Sequence, residues 1–204
     1  DTPVIMGILN VTPDSFSDGG RYYQTDSAVI QAQKLLADGA TILDIGGEST
    51  RPGAPDVSLE DELARVIPAI EAIRAHSDSA VNDCIISIDT SKSEVMRQAI
   101  LAGADIVNDV RALQEPNALV TVAQYPDVAV CLMHMLGQPR SMQNSPHYDD
   151  LFSDINDFFV QRINVCKTAG IQRQQLILDP GFGFGKTLSH NYQLLARFNE
   201  FNHF

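Results

Sequence analysis

Short apolar runs alternate along the chain with segments of helical periodicity. The runs are rich in Val and Ile and lack strict alternation, and they are VIMGILN (4–10), TILDIGG (41–47), IISIDT (85–90), DIVNDV (105–110), VAVCLMH (128–134) and LILD (176–179). Runs of this kind are typical of strands that are buried on both faces, as in parallel sheets. The pattern therefore predicts six strands of a parallel sheet.

The segments between these runs carry apolar residues at helical spacing. On one side of residues 58–76 these are Leu59, Leu63, Val66, Ile67, Ile70 and Ile73, and in residues 148–170 they are Phe152, Ile155, Phe159 and Ile163. Ser58 with Asp61, and Ser91 with Glu94, have the spacing of a capping box and predict two helix starts. Pro68 is expected to kink the first of these helices, because proline removes a backbone donor from the helix interior.

A weak internal repeat joins the two patterns. ADGATILDIG (37–46), LAGADIVNDV (101–110) and TAGIQRQQLILD (168–179) each pass from a helical segment through a glycine into a strand. Gly39, Gly103 and Gly170 fit the left-handed position that ends a helix. Repeated helix-cap-strand units predict an α/β fold, and the length without a linker predicts a single domain over residues 1–204.

Polar residues close every predicted strand, at Asn10, Asp44 to Glu48, Asp89, Asn108 with Asp109, His134 and Asp179. In (β/α)8 barrels the active site is built at the C-terminal ends of several strands. A doubly wound sheet also binds ligands at strand ends, but mainly at one crevice. Six polar ends therefore favour a (β/α)8 TIM barrel, with the doubly wound sheet as the alternative.

Charge and cysteine usage narrow the possible partners. The formal net charge is −12, so nucleic acid and acidic membranes are repelled at long range and are not expected as partners. Cys84, Cys131 and Cys166 form no C-x-x-C pair, which indicates reduced, buried thiols in a cytosolic protein. PVIMGILNV (3–11) lacks a basic flank and a cleavage pattern, so we interpret it as a strand rather than a signal peptide. The sequence contains no apolar run of about 18 residues, so it predicts no membrane span.

The segment LILDPGFGFGK (176–186) combines an acid with three glycines and a lysine. A nucleotide-binding P-loop needs the spacing G-x-x-x-x-G-K-S/T, and the first glycine of that pattern is replaced here by Pro180, which argues against it. The glycines could simply permit a sharp turn, or they could let the backbone approach a flat ligand beside Asp179. Asp179 itself could instead cap a helix or hold a loop.

Six segments together resemble the dihydropteroate synthases of bacterial folate biosynthesis. They are MGILNVTPDSFSDGG (6–20), GGESTRPG (46–53), SIDTSK (87–92), NDVRAL (108–113), CLMHM (131–135) and LDPGFGFGK (178–186), in the order of the family and across nearly the whole chain. The resemblance implies a cytoplasmic, homodimeric, Mg2+-dependent transferase with a TIM-barrel fold. Its expected reaction joins 7,8-dihydropterin-6-ylmethyl diphosphate to 4-aminobenzoate, and sulfonamides are its expected inhibitors.

The resemblance also assigns pterin-binding residues. Asp89, Asn108 and Asp179 match the residues that bind the pterin, one edge of which resembles a guanidinium and suits a carboxylate acceptor. Asp89 and Asp179 would also stabilise the positive charge that develops on the ring. The ring would lie against Val110, Met133, Gly183 and Phe184, although these side chains are equally compatible with ordinary core packing.

The other ligands are expected to bind residues after the first two strands. Thr50 and Arg51 match the diphosphate-binding residues of the family, and Arg51 would help the leaving group depart. Asn10 matches the Mg2+ contact of the family, with most of the coordination coming from diphosphate oxygens. Asp18 is a further candidate contact that would approach the metal when the first loop closes. Phe16 and Pro52 match positions beside 4-aminobenzoate.

The remaining expectations concern the extent of the site. The aromatic amine is a competent nucleophile, so no Ser, Cys or His nucleophile is needed, and His134 and His147 have no assigned role. Only six of eight βα units are present, whereas a barrel takes about 250 residues. We therefore expect a C-terminally incomplete chain that retains part of the pterin site without synthase activity.

Two other interpretations of the resemblance stay open. The chain could be a methyltransferase-type pterin-binding barrel, although the TPDSFSDGG and GGESTRPG segments favour the synthases. It could also be a non-catalytic pterin-binding homologue, which would be expected to lose Asn10 or Arg51. Both residues are present.

Overall fold

The computed structural model describes residues 3–11, 21–49, 55–137, 142 and 146–204. All six predicted strands are present, each within two residues of its expected bounds. They are β1 (Met6–Asn10), β2 (Ile42–Gly46), β3 (Ile85–Asp89), β4 (Ile106–Asp109), β5 (Ala129–Met133) and β6 (Leu176–Asp179). Every neighbouring pair is parallel, and the strand order in the sheet is β1-β2-β3-β4-β5-β6.

Helices occupy the segments between the strands. They are α1 (Arg21–Ala37), α2 (Leu59–Arg74), α3 (Ser79–Asn82), α4 (Ser93–Ala102), α5 (Ala118–Val122), α6 (Leu151–Thr168) and α7 (Leu188–Ala196), with two 3-10 turns at Arg173–Gln175 and Phe198–Phe201. The predicted helices in residues 58–76 and 148–170 correspond to α2 and α6. None of the described helices has both the length and the apolar character that a membrane crossing requires.

The strand order distinguishes the two candidate α/β architectures. A doubly wound sheet reverses its order at a switch point, where its ligand binds. The order here runs without reversal from β1 to β6. Six consecutive, singly wound βα units are the arrangement of a (β/α)8 barrel, so this prediction is confirmed.

The main core lies between one face of the sheet and its helices. Alternate strand residues such as Leu43, Ile45 and Ile88 are completely buried in this core, where Val66 and Ile70 of α2 join them. Because side chains alternate along a strand, the residues between them project from the opposite face of the sheet. On β2 and β3 those residues include Asp44, Ser87 and Asp89, so polar groups lie on the inner face.

Local sequence signals were mostly reliable for helix ends. Ser58 caps α2 by accepting a hydrogen bond from the Asp61 N–H at 3.0 Å, and α2 continues through Pro68. The glycines expected at helix ends adopt positive φ, at +107° for Gly39, +113° for Gly103 and +97° for Gly170.

The expected cap at Ser91 was wrong. Lys92 occupies the N-cap position of α4 and makes no capping bond through its side chain. The Ser91 hydroxyl donates instead to Asp109 Oδ1 at 2.5 Å. A hydrogen bond between neighbouring strand ends thus replaces the local one that the sequence pattern predicted.

The outer strands expose apolar side chains. Ile8 on β1 is 66 % exposed and Ile177 on β6 is 42 % exposed. Within the described residues each of these strands has a neighbour on one side only. Both residues belong to the inner face of the sheet, since Leu9 and Leu178 contact the helix side.

Candidate active site

A polar row crosses four strands at the carboxyl edge of the sheet. The strand register pairs Asn10 with Gly46, Gly46 with Asp89, and Asp89 with Asn108. A Cβ atom at Gly46 would lie 3.5 Å from Asp89 Oδ2 and 3.8 Å from Asn10 Oδ1. Gly46 therefore lies between the Asn10 amide and the Asp89 carboxylate, and a side chain at this position would contact both.

Asn108 is oriented by a buried carboxyl group. Its Nδ2 donates to Asp44 Oδ2 at 3.1 Å. Burial raises the pKa of Asp44, and both Ser87 and Asn108 oppose that shift, although the geometry of the Ser87 hydroxyl falls short of a hydrogen bond. With Nδ2 directed at Asp44, the amide oxygen of Asn108 is the atom left to accept from a ligand. The sequence placed Asp44 at a strand end but assigned it no role.

Asp89 lies in acidic surroundings. Burial raises its pKa well above the ordinary value, and the nearby carboxylates of Asp44, Asp109, Glu62 and Glu48 raise it further. The ionised form of a carboxyl group in this position is stabilised by any positive charge that approaches it.

Asp109, the last residue of β4, has a structural function. Its carboxylate accepts from the Ser91 hydroxyl, from the Arg111 N–H at 2.9 Å and from the Leu113 N–H at 2.7 Å. These bonds hold a turn in which Ala112 and Leu113 take positive φ of 51° and 58°. Asp109 therefore fixes the chain beyond Asn108 and faces away from the polar row.

A second buried network connects the ends of β2 and β3 with α2. Lys92 donates to Glu48 and, at 2.5 Å, to Glu62, whose side chain is fully buried. The Thr90 hydroxyl donates to the other Glu62 oxygen at 2.6 Å. Sequence reasoning missed this network, because Glu62 lies among the exposed acids of the first turn of α2.

Asp179 closes β6 and holds the loop that follows it. Its Oδ1 accepts the Gly181 N–H at 2.7 Å, and its main-chain oxygen accepts the His134 N–H at 2.8 Å. Burial raises the pKa of Asp179, whereas the Gly181 N–H and the charge of Lys186 lower it. The loop-holding role that the sequence left open is correct, and no described donor binds Oδ2, so both roles are compatible.

The glycines of this loop serve two different purposes. A Cβ atom at Gly181 would lie 2.0 Å from the His134 carbonyl oxygen, and one at Gly185 would lie 2.6 Å from the Leu136 carbonyl oxygen. A Cβ atom at Gly183 would meet nothing within 4 Å. Gly181 and Gly185 thus let the loop approach β5 closely, and only Gly183 borders open space of the kind a flat ligand would need.

Lys186 and His134 form a buried pair beneath this loop. Lys186 Nζ lies 3.0 Å from His134 Nδ1, and it donates to the carbonyl oxygens of His134 and Phe184. The lysine follows the last glycine, and the sequence signal that singled it out was the rejected P-loop pattern.

The remaining residues with expected roles differ in how far the structure describes them. Val110 and Met133 are buried, Phe184 is half-buried and Gly183 is exposed. The predictions for Phe16, Asp18, Thr50, Arg51 and Pro52 lie outside the described residues.

The cysteines and His147 have no assigned role in this site, although the strand register places Cys131 beside Asn108. Cys84, Cys131 and Cys166 are buried free thiols, as expected. His147 is exposed beside Asp149, with 3.3 Å between Nε2 and Oδ1. Across the described part of the chain, no group of three or more His, Cys, Asp and Glu side chains could hold a metal ion.

The singly wound sheet and the acid-lined carboxyl edge are consistent with the result of comparing the sequence with known protein families. The family described as pterin binding enzyme matches residues 6–204, and the chain belongs to it. Dihydropteroate synthase of Escherichia coli strain K12 is 55 % identical over 202 residues, which cover 99 % of this chain and 70 % of that protein. Within the family the chain groups with the dihydropteroate synthases, which are transferases of folate biosynthesis.

Solved structures show the same relationship. Yersinia pestis dihydropteroate synthase in complex with a sulfonamide drug has a TM-score of 0.89 and 55 % identity, covering 98 % of this chain and 71 % of that one. Burkholderia cenocepacia dihydropteroate synthase complexed with 7,8-dihydropteroate has a TM-score of 0.84 and 44 % identity, covering 98 % of this chain and 66 % of that one.

Proposed function

We propose that the full-length protein condenses 7,8-dihydropterin-6-ylmethyl diphosphate with 4-aminobenzoate at the carboxyl edge of the sheet. The observation that carries this proposal is the convergence of Asn10, Asp89 and Asn108 in one row, with Asp179 at the same edge. Relatives of this chain have been solved with 4-aminobenzoic acid and with 7,8-dihydropteroate, the expected substrate and product.

Pterin recognition follows from the hydrogen-bonding groups at this edge. The exocyclic amine and the adjacent ring N–H of a pterin are parallel donors that suit a carboxylate such as Asp179. Asn108, held by Asp44 through its Nδ2, presents its amide oxygen to a further ring donor. Val110 and Met133 are buried at the ends of β4 and β5 and supply apolar contact for the ring, while Gly183 and Phe184 cover it.

The chemistry is a substitution at the exocyclic methylene carbon of the pterin. The amine nitrogen of 4-aminobenzoate forms the new C–N bond, diphosphate leaves with the electron pair of the C–O bond, and the amine then loses a proton. Positive charge that develops on the ring is stabilised by Asp89 and Asp179. The four carboxylates around Asp89 that raise its pKa add to this negative potential.

The diphosphate and its metal ion are assigned to the ends of β1 and β2. Thr50 and Arg51 would bind diphosphate oxygens. Asn10 Oδ1 lies beside Gly46 at the carboxyl edge, and one amide oxygen fits a Mg2+ ion that takes most of its ligands from diphosphate and water. Asn10 would hold this ion, with Asp18 as a second contact, and the bound ion would neutralise charge on the leaving group.

The aminobenzoate side is assigned to Phe16 and Pro52. Sulfonamides would compete there, since a synthase from Yersinia pestis has been solved with such a drug. We further propose that the enzyme is cytoplasmic and that it forms a homodimer. Two more βα units would complete its single barrel domain and cover the apolar side chains of Ile8 and Ile177, which are exposed on the outer strands.

The test measures diphosphate release that depends on 4-aminobenzoate, using the full-length protein. Asp179→Asn and Asp89→Asn should each lower kcat/KM by roughly 10²–10³, because each removes a preorganised charge from the reacting centre. Asp149→Asn is the matched control, since its side chain is fully exposed, and it should leave the rate unchanged.

Two results would contradict the proposal. One is pterin binding by the wild-type protein without 4-aminobenzoate-dependent release, which would support a non-catalytic pterin-binding protein instead. The other is a wild-type rate in Asp179→Asn, which would place the pterin elsewhere.

A further inference from the structure

Lys186 is a lysine buried without a hydrogen-bonded carboxylate among the described residues. It is 3 % exposed, and its Nζ has three neighbours at hydrogen-bond distance. These are His134 Nδ1 at 3.0 Å, Phe184 O at 3.1 Å and His134 O at 3.3 Å. An ammonium group has three N–H donors, so three acceptors match its charged form.

The protonation of Lys186 decides how His134 takes part in this pair. Burial and the charge of Lys186 lower the pKa of His134 to about 3, so the imidazole is neutral near physiological pH. In the charged form of Lys186 every hydrogen on Nζ is a donor, so His134 Nδ1 accepts and the other imidazole nitrogen carries the proton.

The contacts of Lys186 hold the glycine loop (residues 181–185) against the end of β5. Lys186 binds the Phe184 carbonyl within the loop and both acceptors of His134 on β5's side. The Tyr148 hydroxyl adds a bond to Gly185 O at 2.8 Å. At the other end of the loop, the Gly181 N–H donates a hydrogen bond to Asp179. A movement of Lys186 would therefore be passed through the loop to the carboxylate proposed to bind the pterin.

Lys186 also acts on Asp179 through its charge. Its positive charge lowers the pKa of Asp179 against the effect of burial. Burial in turn lowers the pKa of Lys186 to about 7, with Asp179 opposing that shift. The other titratable groups near this pair are His134, Tyr148, His190, whose ring lies 5.0 Å from that of Tyr148, Asp154, whose charge acts on Tyr148, and Cys131, on which the charge of Asp179 acts.

We infer that Lys186 is a positioning residue for pterin binding, which fixes the glycine loop to β5 and thereby the Gly181 N–H that donates to Asp179. This inference rests on the proposed pterin site. The inference predicts how pterin affinity depends on pH, because protonation of Asp179 removes the acceptor for the pterin. The acid limit of pterin binding should therefore move to higher pH when the charge of Lys186 is removed.

The experiment compares three variants of the full-length protein. Lys186→Met removes both charge and donors, Lys186→Gln keeps donors without charge, and Lys167→Met is a control at an exposed lysine in the last turn of α6. The dissociation constant of 6-hydroxymethylpterin is measured by calorimetry from pH 5 to pH 8. The carboxyl 13C resonance of Asp179 is titrated without ligand, and urea unfolding checks that each variant is folded.

The expected result separates charge from loop geometry. Lys186→Met should weaken binding roughly 10- to 100-fold at pH 7, and both 186 variants should show higher acid limits and a higher pKa for Asp179. Lys186→Gln should recover part of the affinity at pH 8, the end of the range farthest from the acid limit. Lys167→Met should match the wild type in every measurement.

Two outcomes would overturn the inference. A folded Lys186→Met or Lys186→Gln protein with wild-type affinity and an unshifted acid limit would show that Lys186 is not needed for the site. An unchanged Asp179 titration in the ligand-free variants would refute the charge link even if wild-type protein bound no pterin. Failure of wild-type binding with a shifted Asp179 titration would refute the proposed pterin site instead and leave the link intact.

Discussion

Two lysines stand at the carboxyl edge of the sheet, one partly and one fully buried, and their surroundings are opposite. Lys92, after β3, contacts the carboxylates of Glu48 and Glu62. Burial lowers its pKa, but those two carboxylates outweigh burial and the net shift is upward. Lys186, after β6, contacts two carbonyl oxygens and an imidazole, and its pKa falls to about 7.

This difference shows that the two sides of the carboxyl edge are stabilised in different ways. The β2–β3 side is rich in acids and keeps its lysine permanently charged inside an ion network. On the β5–β6 side the carboxylate of Asp179 is balanced by a lysine whose charge depends on that carboxylate. Ion pairs hold the β2–β3 side together. The β5–β6 side is held by hydrogen bonds to the glycine loop and by a lysine whose pKa is lowered.

The largest stability effect is expected from breaking the network on the acid-rich side. Lys92→Met leaves Glu62 fully buried without its cation, and removing one partner of a buried pair costs roughly 3 kcal/mol or more. The free energy of urea unfolding measures this loss.

Lys34→Met is the matched control for that measurement. Lys34 pairs with Asp38 on the surface of α1, where both side chains are more than 60 % exposed. Such pairs contribute about 0–1 kcal/mol. Equal losses in the two variants would contradict the difference drawn between the buried and the exposed pair.

A smaller effect is expected within the glycine loop of the other side. Gly181→Ala would place a Cβ atom 2.0 Å from the His134 carbonyl oxygen, so the loop must move away from β5. Gly183→Ala meets no atom within 4 Å and has only its positive φ of 81° to tolerate, at about 1–2 kcal/mol.

Thermal unfolding and pterin affinity distinguish these two alanine variants. Gly181→Ala should lose more stability than Gly183→Ala and should also bind pterin more weakly, because Asp179 holds Gly181 directly. If Gly183→Ala were the less stable protein, the close approach to β5 would not be what the loop requires.

The last effect concerns pH and the acid cluster. The pKa of Asp89 is raised well above 3.8 by burial and by its acidic neighbours, so the folded state keeps this proton to higher pH than the unfolded state. The stability that protonated Asp89 contributes is therefore present at low pH and is lost as pH rises through its folded pKa.

Asp89→Asn should accordingly be more stable than the wild type at pH 8. The gain amounts to about 1.4 kcal/mol for each unit by which the folded pKa exceeds the ordinary value. It should shrink as the pH approaches 4, and chemical denaturation at a series of pH values measures it. A gain that grows toward low pH would mean that the neighbouring carboxylates do not act on Asp89 as described.

The sequence by itself determined the six strands, their parallel character and the carboxyl-edge residues Asp89, Asn108 and Asp179. These features depend on local patterns, because apolar runs and the polar residues that close them are encoded in consecutive positions. The glycine caps at Gly39, Gly103 and Gly170 were equally readable, since each requires a positive φ that glycine tolerates best.

Only the tertiary structure decided which polar residues are partners. Asp44 orients Asn108 from another strand, Lys92 reaches Glu62 on a helix, and Lys186 contacts His134 from 52 residues away along the chain. The same distance effect explains the wrong prediction for Ser91, whose hydroxyl binds Asp109 across two strand ends. Burial and charge at these sites arise from packing between elements, and no local sequence window contains that information.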